Sequence, residues 1–243
     1  MEIYMRFLLI TILLLTFNLL SADRMHDLSD RFWNKGERYR MQYKYSDAIT
    51  AYKQGARFEK KSSNLRVERF FNFVIKIGDM YYKMENIKKT QYYYKLGLKV
   101  ANKFSQKNLK MHANIKLGFV FFKQEKYSKS VLLYKESFKI ARQLGLSDRM
   151  IFIQNRLGYI YKLQKKYKAA LKIYKQTLLL LKGDLNKGNR AIVFSNIGTT
   201  YFYLRKYYGS IYYHKKSLKI NKDLKRNIDI SVDLSNLAIV NIR

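Results

Sequence analysis

Three histidines, His26, His112 and His214, are the only imidazoles the chain can bring to catalysis or to a metal. They stand in unrelated contexts, and none belongs to an HExxH or GxSxG arrangement. The absence of cysteine removes thiolate metal sites, disulfides and a thiol nucleophile together. No two carboxylates sit at a spacing suited to paired acid and base work. Gly183-Asp184-Leu185-Asn186-Lys187-Gly188-Asn189-Arg190 imitates the start of a phosphate loop, but lacks the Lys-Ser/Thr ending and a preceding strand. It reads as a turn between helices. His214 falls in an otherwise aromatic column and reads as a core residue. The expectation is a chain that is no enzyme and uses no cofactor and no metal.

The elements behind those residues repeat. Gly36, Gly78, Gly118, Gly158 and Gly198 recur at intervals of 42, 40, 40 and 40 residues. Three positions after each glycine stand Tyr39, Tyr81, Phe121, Tyr161 and Tyr201; nine after stand Tyr45, Ile87, Tyr127, Tyr167 and Tyr207. Ala48, Thr90, Ser130, Ala170 and Ser210 form a small column, and Tyr52, Tyr94, Tyr134 and Tyr174 an aromatic one that His214 interrupts. Each unit has two helical stretches with apolar residues three to four apart, which is a hairpin that buries its face only by stacking on neighbours. Small residues opposite large ones let paired helices interlock. Gly145-Leu146-Ser147-Asp148 reads as a left-handed stop followed by an N-cap, and Gly183-Asp184 as a similar stop. With no proline and only 11 glycines, long uninterrupted helices in one elongated domain are expected.

Lys plus Arg number 49 against 17 Asp plus Glu, a net charge of +32. Such a field attracts phosphates, anionic lipid or acidic peptides. The chain is also rich in Lys, Ile, Asn and Tyr, a pattern that an AT-rich genome produces without selection for binding, so nucleic acid is disfavoured as a partner. Lys53, Lys95, Lys135, Lys175 and Lys215, one per repeat, read as a solvated outer face. Residues 7–22, FLLITILLLTFNLLSA, carry no charge and follow Arg6. Residues 1–22 are therefore expected to be a signal peptide or membrane anchor, residues 23–28 a short lead-in, and residues 29–243 the repeats. The protein is expected to be exported, periplasmic or extracellular, or membrane-anchored, with a cytoplasm-facing anchor left open.

These columns resemble the tetratricopeptide repeat family over about residues 29–243, and the forty-residue period resembles its long-helix subtype. Trp33 lies three positions before Gly36, whereas the family places a tryptophan four before its glycine. The resemblance implies an all-α fold, a right-handed superhelical solenoid of stacked helix-turn-helix hairpins, with five repeats and the first helix of a sixth. It further implies a concave groove, lined by the first helices, that holds peptide or protein segments. On that groove the positions are Trp33, Asn34, Lys76, Lys116, Phe119, Asn155, Arg156, Tyr159 and Asn196. A basic and amide ladder flanked by aromatics suits a protein or peptide with acidic and apolar residues. The implied function is a non-enzymatic interaction scaffold; the alternative is a sensor or regulatory module of a longer signalling or transcription-regulatory protein. In the last helix Leu234, Leu237 and Val240 are expected to be exposed, so self-association there is a further expectation.

Overall fold

The computed structural model describes residues 2–181, 183 and 186–242, and the expected turn residue Asp184 lies outside them. These residues form eleven helices and, among the described residues, no strand. They are α1 (Glu2–Met41), α2 (Tyr45–Lys61), α3 (Val67–Lys83), α4 (Ile87–Lys103), α5 (Lys107–Lys123), α6 (Tyr127–Gln143), α7 (Ser147–Leu163), α8 (Tyr167–Leu180), α9 (Lys187–Tyr203), α10 (Tyr207–Asp223) and α11 (Asn227–Asn241). The chain divides into two compact units, residues 1–120 and 121–243, where the sequence leads one to expect a single domain. Neighbour-only packing explains the difference, because in a repeat array no contact reaches past the adjacent hairpins.

In unit 1, α1 packs on α2, α2 on α3 and α3 on α4; in unit 2, α6 packs on α7, α7 on α8, α8 on α9, α9 on α10 and α10 on α11. The repeat glycines make each hairpin close. A Cβ on Gly158 would fall 2.5 Å from the Tyr174 ring, and Gly36, Gly78 and Gly198 meet Tyr52, Tyr94 and His214 in the same way. Tyr52 and Tyr174 are fully buried and Tyr94 nearly so, so the rings cannot swing aside and only glycine fits opposite them.

The turns stop the helices by left-handed residues that are mostly not glycine. Tyr43, Glu85, Ser105, Glu125, Lys165, Arg205 and Lys225 have φ between 52° and 60°, beside Gly145 at 66° and Gly183 at 75°. In a representative turn, Glu85 N–H donates to Tyr82 O at 3.0 Å and Asn86 N–H to Tyr81 O at 2.9 Å, satisfying carbonyls that the helix end leaves open. The expected cap at Ser147 is not formed: Ser147 is already helical, Leu146 is the cap residue, and no side chain bonds there.

Expected leader, lead-in and first repeat helix run as one helix, since nothing between Glu2 and Lys35 breaks it. Among the described residues no helix is long and apolar enough to cross a membrane. Packing starts before residue 29, with Ala22 at 4% exposure. Beyond it a buried polar cluster ties α1 to the α2–α3 turn. Glu59, fully buried, accepts from Ser29 Oγ at 2.8 Å and from the Arg66 guanidinium at 2.8 Å, while Arg66 and Arg69 both reach Asp30.

Candidate functional site

The positions flanking each repeat glycine lie on the first helix of each hairpin, but the two units use them differently. In unit 1, Lys76 Nζ sits 2.8 Å from Glu37 Oε1 and Lys116 Nζ 2.7 Å from Asp79 Oδ1. The same carboxylates accept the buried column hydroxyls, Tyr52 to Glu37 at 2.7 Å and Tyr94 to Asp79 at 2.5 Å. Burial opposes ionisation of Glu37, but hydrogen bonds from Lys76, Tyr52 and Arg40 together outweigh it and hold its carboxyl down at about 2. Burial and the neighbouring carboxylate push the Tyr52 hydroxyl well above its ordinary range. The two lysines expected to receive a ligand's carboxylates are therefore already paired inside the protein. Trp33 is also spoken for, packed in the core against Tyr52 and Phe73 with the Arg69 guanidinium 4.3 Å from its ring centre. Asn34 is exposed, and Phe119 packs edge-on against Tyr82 at 5.3 Å.

Unit 2 replaces the carboxylates. Where unit 1 has Glu37 and Asp79 after the glycine, unit 2 has Tyr159 and Thr199. Arg156 is exposed, lies with its guanidinium 5.1 Å from the Phe152 ring centre, and has no carboxylate partner among the described residues. It borders a cavity of about 380 Å³ between α7 and α9. Asn155, Asn189 and Asn196 supply amides to the lining, and Phe152, Tyr159 and Ile192 supply half-exposed apolar surface. Asn155 Oδ1 is buried without a hydrogen-bond partner, as is the Tyr174 hydroxyl, whose counterparts in unit 1 find carboxylates. A buried acceptor left open is costly unless something donates to it. Four of the expected groove residues, Asn155, Arg156, Tyr159 and Asn196, thus converge on one cavity.

Sequence reasoning missed a second polar group in unit 2. Asp233, 1% exposed on α11, accepts from Ser195 Oγ on α9 at 3.0 Å and from Asn221 Nδ2 on α10 at 2.8 Å, with His214 Nδ1 at 3.8 Å. Burial opposes its charge, but contacts from His214, Ser217, Asn221 and Ser195 hold the carboxyl below its usual range. Serine, aspartate and histidine are together here in the wrong order for acyl chemistry, because the carboxylate stands between the other two and the group is buried. It is a latch for α11. Val240 is also buried, at 4%, contrary to its expected exposure, whereas Ile228, Leu234 and Ile239 are exposed.

Stacked hairpins with glycine-aromatic interlocks define an all-helical repeat fold of the tetratricopeptide type. Residues 109–182 match the family model described as tetratricopeptide repeat. No curated protein sequence matches it. Among solved structures it is similar to BtubC from P. vanneervenii, at 14% identity and a TM-score of 0.73, covering 87% of this chain and 92% of that one. It is similar to aspartyl phosphate phosphatase F from Bacillus subtilis at 15% identity and a TM-score of 0.74, covering 86% of this chain and 54% of that one. A third, the Rap conjugation gene regulator of plasmid pLS20 in complex with the Phr* peptide, shares 11% identity with a TM-score of 0.60, covering 83% of this chain and 55% of that one. At these identities the likeness shows the fold.

Proposed function

We propose that this protein is a non-enzymatic interaction scaffold that captures an extended peptide segment in the groove of unit 2. The observation that carries the reading is the cavity between α7 and α9, where Arg156, in no ion pair among the described residues, stands beside apolar surface and an unpartnered amide oxygen, with Asp148 also in the lining. Arg156 takes a carboxylate of the segment in a charge-assisted, two-pronged bond. Asn155, Asn189 and Asn196 take its backbone groups, and Phe152, Tyr159 and Ile192 take one apolar side chain. The pLS20 regulator, similar in fold, is bound to a peptide. Arg156→Glu is expected to weaken capture of acidic-apolar peptides at least about tenfold, the effect of losing one charged hydrogen bond of about 1.5–3 kcal/mol. Fluorescence anisotropy with a panel of such peptides measures it, and unchanged affinity in the variant would remove the groove from the binding site. The apolar segment of residues 7–22 supports export or membrane attachment as the setting of that capture. N-terminal sequencing of native protein is expected to begin near Asp23 if the segment is cleaved, and at Met1 in a membrane fraction if it is an anchor.

A further inference from the structure

Unit 1 carries a second cleft, of about 380 Å³, on the side of the second helices and away from its paired groove residues. Its floor comes from α3 through Phe70, Val74 and Ile77, spaced four and three apart on one face, and its far wall is Tyr93 and Leu96 of α4. Its near rim is a stripe of cations on α2, Lys53, Arg57 and Lys60, at the same helical spacing and all exposed. No acidic residue lines the cleft. None of the three cations has an ion-pair partner among the described residues, since Glu59, the nearest acid in sequence, is buried and bound to Arg66 and Ser29.

We infer that this cleft binds an amphiphile with an anionic head and an unbranched apolar tail. The head lies on Lys53, Arg57 and Lys60, and the tail runs along the half-buried Phe70, Tyr93 and Leu96, above the buried Val74 and Ile77. The chemistry separates this ligand from the others that a +32 chain could attract. An extended peptide needs partners for its backbone groups, and here the neutral polar side chains are confined to Thr50 and Gln54 at the rim. Of the two aromatic rings in the lining, Tyr93 is closed to a nucleic-acid base, since Tyr81 is stacked on it at 5.4 Å with Tyr92 edge-on at 5.2 Å, which leaves Phe70 alone where runs of bases need successive rings. An apolar floor with an acid-free cationic rim matches a carboxylate or phosphate head joined to a hydrocarbon chain. The source is either a free fatty acid or a lipid of an anionic membrane.

Calorimetric titration of the full chain with sodium dodecanoate, kept below its micelle concentration, tests the site. One saturable site is expected, at least about tenfold tighter than for butyrate, because the floor contacts only the longer tail. Lys53→Gln, Arg57→Gln and Lys60→Gln combined are expected to weaken it at least about tenfold, and Ala56→Phe, which fills the cleft, to abolish it. Gln54→Glu, an exposed change that leaves the core alone, is expected to weaken it as well and stands in if Ala56→Phe fails to fold. Vesicles of phosphatidylglycerol that bind the protein, and lose it with the triple variant, assign a membrane lipid as the source. Dodecanoate binding without vesicle binding assigns a free amphiphile. Equal, unsaturable uptake of butyrate and dodecanoate, or indifference to all three variants, would overturn the site. Peptide capture at Arg156 is expected to be unaffected throughout, so the two sites fail independently.

Discussion

A carboxylate one residue after the repeat glycine decides whether the lysine of the next repeat is available to a ligand. Glu37 and Asp79 sit there and take Lys76 and Lys116, whereas the next two residues of that column, Phe119 and Tyr159, carry no charge to offer a cation. The pairs are part of the fold as much as of the surface, because each carboxylate also satisfies a buried tyrosine hydroxyl. Glu37 gives this a measurable pH signature. Its folded pKa of about 2 lies below the unfolded 4.5, so its stabilisation is complete above the unfolded value and is lost as pH falls from there toward about 2. Glu37→Gln is expected to cost about 1–3 kcal/mol at neutral pH, the penalty for weakening bonds to Lys76 and Tyr52. At pH 2 the variant and the parent are expected to converge, and urea unfolding across that range measures the difference. A constant gap at every pH would mean that the pair contributes only packing.

The helices end on left-handed residues that the sequence does not advertise. Glu125 and Lys165 hold φ of 57° with side chains in solvent, where a Cβ is strained by about 1–2 kcal/mol and glycine is not. Glu125→Gly and Lys165→Gly are each expected to raise stability by about 0.5–1 kcal/mol, part of the relief being offset by the greater freedom of glycine in the unfolded chain. Thermal unfolding checks it, and a fall in melting temperature would show that those side chains make contacts worth more than the strain. These turns mark the limit of what was legible. The hairpins were visible because glycine and aromatic columns carry the packing that repeats every forty residues. Helix ends were visible at Gly145 and Gly183 alone, since elsewhere the turn is imposed by neighbouring helices and not by residue type. Register alone brought together Asn155, Arg156, Tyr159 and Asn196, which line one cavity. It did not reveal the core packing of Trp33 or the ion pairs of Lys76 and Lys116, because which partner a side chain meets across two helices is absent from a single column, and Asp233 was hidden among ordinary surface-like carboxylates for the same reason.

At the scale of the whole molecule the excess of 32 positive charges competes with any local account of binding. The second helices carry much of it, and Lys95, Lys135 and Lys175 are exposed there. Two mechanisms therefore predict different responses to the same charge change. If ligands are drawn by the summed field, affinity follows net charge and falls steeply with salt. If they are held at Arg156 beside apolar surface, one partly desolvated pair dominates and is screened less than exposed charges are. Replacing Lys95, Lys135 and Lys175 by Glu moves the net charge from +32 to +26, whereas Arg156→Glu moves it only to +30. The groove mechanism predicts that the smaller change does the greater damage: peptide capture lost at least about tenfold with Arg156→Glu and altered less than about twofold with the outer triple. It also predicts that raising salt from about 50 to 200 mM costs the parent far less than the roughly thousandfold seen when six or more phosphates are neutralised. Titrations of the three proteins at both salt concentrations measure this directly. If affinity instead tracks +32, +30 and +26 in order, the outer face and not the groove is where ligands are held.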